Sequence, residues 1–596
     1  MLSTSLVPPV RRPSGRTIVA ALALLALGAL AFAEKKPGKA SAPVPEADSA
    51  RRARATRADW VRITTGLTTE FFARHPDAAF ERGWPGAKNL GLGAFGDGSG
   101  LRWRNALVYA LSELGRLELT GASHKVRTPV GTLTDWVEAE LLLLDAQALP
   151  TRDAASYVQQ ALRTLRAAAG AGWLGAEERQ AKLGALVAEL PAYLAGARAR
   201  LLAPASAWIE LALDDLDDLE ELAAELGPPP APSPKAGGPR KKEKAAAREP
   251  EALAAITSFR AWLLGISASA GSRPPTLDTS EWTRLVRLAS GTAWEPGEIK
   301  ALCLRDLAEI ELPEVNEAAR GRKSQSSKTQ SKRRALRVRS SSTRALHIGQ
   351  QARLLRARPD ANSVTFGSEE SPRTCVELVS LRPGVSGALE AWLQLPHRAW
   401  PASRIAARNQ DLGASQLTAL GVRHGLAGEA LFELARRGSK DPLASLPVNR
   451  VASEAIGLYA QDWIGRVKWV KNAFASNPRV RRALERQRGF EAARLLAALE
   501  MHAEEISLEE AAENFARRTG ASEEVAASEA LRAQRDPLYG LGYLGWMELR
   551  ALEQRLAERS SPRRGLATTL LLAFRDCSLR PSDLAAGPRA GRRHRR

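Results

Sequence analysis

The stretch LGVRHGLAGEALFELARRG, residues 420–438, is followed by a short Pro-containing loop and by VASEAIGLYAQ, residues 451–461; together they decide how the rest of the chain is read. The first segment carries an Arg–His pair, Arg423 and His424, then a Gly–Glu pair, Gly428 and Glu429, and then an amphipathic run. The second supplies another carboxylate, Glu454, in a run that also holds Tyr459. Apolar residues three and four apart predict one polar helix followed by a second helix that brings a carboxylate towards it.

Working outward, 596 residues accommodate about two to four ordinary domains, or one large helical body with insertions. A hydrophobic fraction of 44% suffices for a sizeable core, and the dominance of Ala, Leu, Arg and Glu makes the chain mainly α. Much of the formal charge of +20 is local, at residues 51–57, 320–344 and 589–596. Such runs favour anionic polymers or membrane surfaces.

Residues 1–33 combine a basic start, the apolar run IVAALALLALGALAFA and a terminal Ala31-Phe32-Ala33, with no acidic residue before Glu34. That is the pattern of a secretory signal peptide, and an uncleaved inner-membrane anchor is its alternative. Export to the periplasm or the medium is therefore expected. The first Cys is Cys303, so no lipid-anchor Cys follows the apolar run. The three cysteines, Cys303, Cys375 and Cys577, are too dispersed for a disulfide framework or a zinc ribbon and read as buried apolar side chains.

Composition divides the remainder. Residues 34–58 read as a linker, 59–226 as an N-terminal helical region, 227–250 as a Pro/Lys-rich linker or insertion, and 251–586 as a second helical region. The second region contains a basic loop, 320–344, and is followed by a basic tail, 587–596. His75-Pro76 should stop the first helix, Pro191 should kink or break another, and Asp536-Pro537 should interrupt the last part. In WIELALDDLDDLEELAAEL, residues 208–226, Leu213, Leu216 and Leu219 form an apolar face. Asp214, Asp215, Asp217 and Asp218 are expected on the solvated face, because calcium-loop spacing and its turn Gly are missing. Alternation at residues 363–366 and 374–381 predicts short strands before the central helix. They could line a cleft and pair with an extended peptide, or form a hairpin packed on the helices.

The chemistry is bounded by absences. None of the seven His is followed by Glu, and no two share a helix face, so no zinc-peptidase His pair with an adjacent general base exists in the sequence. Nucleophile-elbow and phosphate-loop motifs are also missing, and no G-x-G-x-x-G stands at a strand–helix junction, since the Gly-rich residues 91–100 follow no hydrophobic strand and read as a flexible loop.

With these residues in hand, the chain resembles a bacterial domain-of-unknown-function family, family 885, of zinc-peptidase-like proteins whose hallmark is HExxPGH followed by a run like EGWALYAE. Against that hallmark, RHGLAGE sets Arg423 at the first His, His424 at the Glu, Gly428 at the Gly and Glu429 at the second His. SEAIGLYAQ keeps Glu454, Leu458, Tyr459 and Ala460, with Gln461 for the last acid. Farther on, Arg494 and His502 match an Arg-rich helix with a late His, and Ala498 stands where the family has Asp. Glu529, Arg532, Pro537 and Tyr543 match a later segment. The likeness extends upstream through the helices to residue 226.

The resemblance implies a large helical zincin-like body with a small β element before the central helix. It also implies a degenerate site at Arg423, His424 and Glu429, with Glu454 the one retained ligand-type position. Cleft candidates are Glu454, Tyr459, His502, Arg532 and Tyr543. A fixed cation at Arg423 would oppose zinc, and an ion pair with Glu454 or Glu429 would fill the vacancy. No cofactor is then expected, zinc being the alternative, and the partner would be a peptide or an anionic envelope polymer.

Two other classes compete. An active hydrolase with a rearranged site would need a base–nucleophile pair, and the sequence names none. A tyrosine recombinase would use Arg423 and Tyr459 in that order, with residues 328–339 as a basic hairpin. Glu295 stands where its first catalytic Arg would fall and Leu420 at its usual His, and the export pattern opposes chromosomal work, so no nucleic acid partner is expected.

Overall fold

A computed structural model describes residues 46–93, 99–119, 124–147, 149–226, 248–267, 276–310, 364–370, 379–383, 389–395, 397, 400–411, 414–424, 428–437, 439, 442–466, 478–559 and 580–585. The signal segment 1–33, the basic loop 320–344 and the tail 587–596 lie outside them, as do Cys375 and Cys577. The described part is mainly α.

The N-terminal half runs through α1 (Glu46–Arg74), α2 (Pro76–Glu81), α3 (Ser99–Gly115), α4 (His124–Gln147), α5 (Ala154–Ala169), α6 (Ala176–Arg200), α7 (Ser206–Glu225) and α8 (Arg248–Ser267). Helix α1 begins inside the segment read as a linker, because its Ala- and Arg-rich composition suits a helix. The chain breaks before Pro76 as expected, but Pro191 lies within an unbroken α6. Leu186, Val187, Leu190 and Leu194 are buried around that proline, and this packing holds the helix together across the missing hydrogen bond.

The second half contains α9 (Thr279–Ser290), α10 (Pro296–Ala308), β1 (Val364–Glu370), β2 (Val379–Pro383), β3 (Leu389–Leu395), α11 (Ala402–Asp411), α12 (Ala414–His424) and α13 (Glu429–Arg437). It continues with α14 (Arg450–Arg466), α15 (Pro478–Ala503), α16 (Leu508–Thr519), α17 (Glu523–Arg535), α18 (Gly542–Arg559) and α19 (Pro581–Ala585). Side chains of Asp278, Ser507 and Ser522 cap α9, α16 and α17, satisfying amide donors that the first turn leaves open. The strands form one sheet in the order β1-β3-β2. β1 runs parallel to β3 (Val364 opposite Leu389) and β2 antiparallel to it (Pro383 opposite Leu389).

Two apolar cores divide the helices. The first is built from α1 to α8 and also takes in Leu443, Leu446 and Val448. The second gathers Trp282, Cys303, Phe432, Tyr459, Leu496, Phe515, Tyr543 and their neighbours. Helix α4 belongs to both: Leu133 and Val137 enter the first core, Ala139 the second. Polar ties reinforce the join. Arg535 donates to Asp153 at 2.7 Å, the residue that caps α5, and Arg82 donates to the Ala444 carbonyl at 2.6 Å. Cys303 is fully buried, and burial pushes its thiol well above the ordinary range, so it serves as an apolar core side chain.

One helical face differs from its sequence reading. Asp215 and Asp218 of α7 are buried rather than solvated. Asp215 accepts from Gln159 at 2.8 Å, and Asp218 sits beside Arg166, because α5 and later segments cover that side of the helix.

Candidate functional site

The central motif is divided between two helices: Arg423 and His424 end α12, and Glu429 opens α13. Helix α14 passes beside that junction at Gly457, where a Cβ would fall 2.7 Å from Glu429 Oε1 and 2.8 Å from Arg423 Cγ. Only a glycine permits this approach.

The approach closes a buried ionic network. Arg423 donates from Nε to Glu429 Oε1 at 3.1 Å and from Nη1 to Glu491 Oε1 at 2.7 Å. His424 Nδ1 lies 2.7 Å from the other Glu429 oxygen, to which it donates because an ionised carboxylate only accepts. Arg494 bonds Glu491 at 2.5 Å and grips Glu529 with two parallel bonds of 2.8 and 2.7 Å. Tyr539 donates to Glu529, and the Arg494 and Arg532 guanidiniums lie 5.2 and 5.0 Å from its ring centroid. Gly540 turns the chain here with φ +76°, and a Cβ would sit 2.4 Å from the Leu495 amide nitrogen.

Ionisation follows from this geometry. Burial pushes Glu491 up, but Arg423 and Arg494 more than offset it and hold the carboxyl at about 2. Burial likewise raises Glu429, and His424 and then Arg423 bring it below the ordinary value. Burial works against the Arg423 charge, yet Glu491 and Glu429 hold it protonated beyond its ordinary range. Arg423, Glu429 and Glu491 therefore hold their charges on one another.

Glu454 stands apart from Arg423. Its oxygens accept from Arg450 Nε at 3.2 Å and from the Gly542 amide at 3.3 Å, and Arg450 also binds Asp536. Burial raises the Glu454 carboxyl above its ordinary value, with Arg450 pulling the other way. Of the two ion pairs expected for Arg423, the Glu429 pair forms. Glu491 takes the place assigned to Glu454.

Three expected cleft residues are core residues instead. Tyr459, fully buried, donates to Glu553 at 2.7 Å, and Tyr543, also fully buried, donates to Asp306 at 2.5 Å. His502 Nδ1 accepts from the Leu277 amide at 3.3 Å while Nε2 donates to the Ala533 carbonyl at 3.1 Å. Burial lowers the His502 imidazole to about 4, so it is neutral and both its nitrogens are used. The helical period turns these side chains inward, which a one-dimensional match cannot register. A buried, bonded Tyr459 is also unsuited to attack DNA. Arg532 does join the central group, through Tyr539. Glu491, Tyr539, Arg450 and Asp536 were missed; the Glu491–Arg494 spacing of one helical turn was the available signal.

Zinc, implied by the family resemblance, does not fit these residues. Both Glu429 oxygens serve Arg423 and His424, both Glu454 oxygens have donors, and Arg423 places a positive charge between helices α12 and α14.

No family model matches the chain, and no curated protein does. Among solved structures, the fold is similar to a protein from Colwellia psychrerythraea described as a lipoprotein, with TM-score 0.65 and 13% identity over 89% of this chain and 98% of that one. It is also similar to one from Shewanella oneidensis described as a lipoprotein of unknown function, with TM-score 0.60 and 12% identity over 88% of this chain and 99% of that one. The likeness is one of fold, and it spans both helical halves.

Proposed function

We propose that this chain is an exported, metallopeptidase-like protein, a degenerate relative of family 885, that binds a peptide or an anionic envelope component without zinc-dependent hydrolysis. One observation carries the reading: the Arg423 guanidinium is buried between Glu429 and Glu491, at the position the family resemblance gives to a metal ligand. A guanidinium remains charged throughout the physiological range, so it substitutes for the charge of a cation without polarising a carbonyl or activating water. The signal pattern of residues 1–33 and the two fold neighbours described as lipoproteins support export. Among the described residues, no helix is long and apolar enough to cross a membrane.

The test is a peptide-library digestion read by mass spectrometry, with and without added zinc. The expected outcome is no cleavage in either condition, with peptide retention measurable by equilibrium binding. Zinc-stimulated cleavage that Glu454→Gln or Glu429→Gln abolishes would overturn the reading.

A further inference from the structure

A second group of ligand-type side chains lies away from the central network, on the acidic helix α7. Asp218 and Glu221 are three residues apart and share one helix face. His397, from the segment just after β3, meets them there. One potential ligand atom from each residue lies within 4.8 Å of the other two. Asp218 and His397 are each 4% exposed, whereas Glu221 is exposed, so the group has a buried floor and an open side.

The spacing within the floor is informative. His397 Nε2 and Asp218 Oδ1 are 3.6 Å apart, too far for a good hydrogen bond. Two ligands on a tetrahedral zinc, each bound at about 2.0–2.1 Å, stand roughly 3.3–3.4 Å from one another. Arg166 approaches the other Asp218 oxygen, Oδ2, at 3.4 Å, which orients the carboxylate from behind as outer-shell donors do at metal sites. An imidazole with two carboxylates is a nitrogen–oxygen set suited to zinc-like ions; the imidazole disfavours calcium.

We propose that Asp218, Glu221 and His397 bind one divalent transition-metal ion of the zinc class, with water completing its coordination. The ion would clamp α7 of the first helical half to the segment after β3. This site is independent of the central network and does not rest on the functional reading above.

The test uses the full-length protein, stripped with chelator, desalted and titrated with zinc against a competing chromophoric chelator. One equivalent is expected to bind, and zinc should raise the thermal midpoint. Even outer-shell partners change affinity by about 10–100-fold, so Glu221→Gln should weaken binding by at least about tenfold. His397→Gln should remove it, and Glu509→Gln, at an exposed carboxylate of α16, should leave it unchanged. Glu221 is exposed, so its variant remains decisive even where His397→Gln fails to fold. Zinc binding by Glu221→Gln equal to the parent's, or absence of zinc binding by the parent, would overturn the proposal.

Discussion

Arg423 shows how much one side chain can determine. Its guanidinium bridges two carboxylates, Glu429 and Glu491, and deleting it would leave Glu429 to His424 and Glu491 to Arg494 alone. Breaking a buried pair on one side costs about 3–5 kcal/mol, so Arg423→Met should lower the urea midpoint markedly. Adding Glu491→Gln should recover part of that loss, since the two changes act on one network; strictly additive losses would show that the pair is not coupled. His502 gives a separate expectation. Its folded value of about 4 lies below the usual value of about 6.5, so the unfolded chain binds more protons between these limits. Stability is then lost as pH falls through that window, by at most about 3 kcal/mol from this group. Glu491, depressed to about 2, adds a further loss below its ordinary value. Thermal midpoints measured from pH 7 to pH 4 should fall, and His502→Gln should flatten the slope. An unchanged slope would assign the loss to other groups.

At the scale of elements, the central feature is the close approach of α14 to the α12–α13 junction. Gly457→Ala would drive a methyl into Glu429 and Arg423 at distances real Cβ atoms do not occupy. Overpacking of this kind costs about 1–3 kcal/mol, and a denaturation midpoint equal to the parent's would mean that the junction opens freely. Helices such as Ala154–Ala169, and the break at Asp536-Pro537, are legible in the sequence because period and proline chemistry are local signals. The polar site is only half legible. Arg423, His424 and Glu429 are sequence neighbours, whereas Glu491, Tyr539 and His397 reach their partners through the fold. The acids of α7 mislead for the same reason: charge predicts exposure until another segment covers the face. At Pro191 the helix is not broken, and buried neighbours on α6 offset the one lost hydrogen bond.

At the scale of the molecule, two cores share helix α4 and are pinned by Arg535, Arg82 and the Arg580 group, which joins Asp135 at 2.5 Å to Asp583 at 2.8 Å. The fold is similar over most of its length to two solved structures, and an Arg423-centred ion network lies at its second core. The most direct measurement is an anomalous diffraction map from a crystal soaked in zinc, because it locates the metal as well as counting it. The expected result is no zinc peak among Arg423, His424, Glu429 and Glu454, with any ordered peak at Asp218, Glu221 and His397. Zinc within about 2.0–2.2 Å of the Glu429 or Glu454 oxygens or a His424 nitrogen would contradict the account, since Arg423 would then have had to yield its place to the metal.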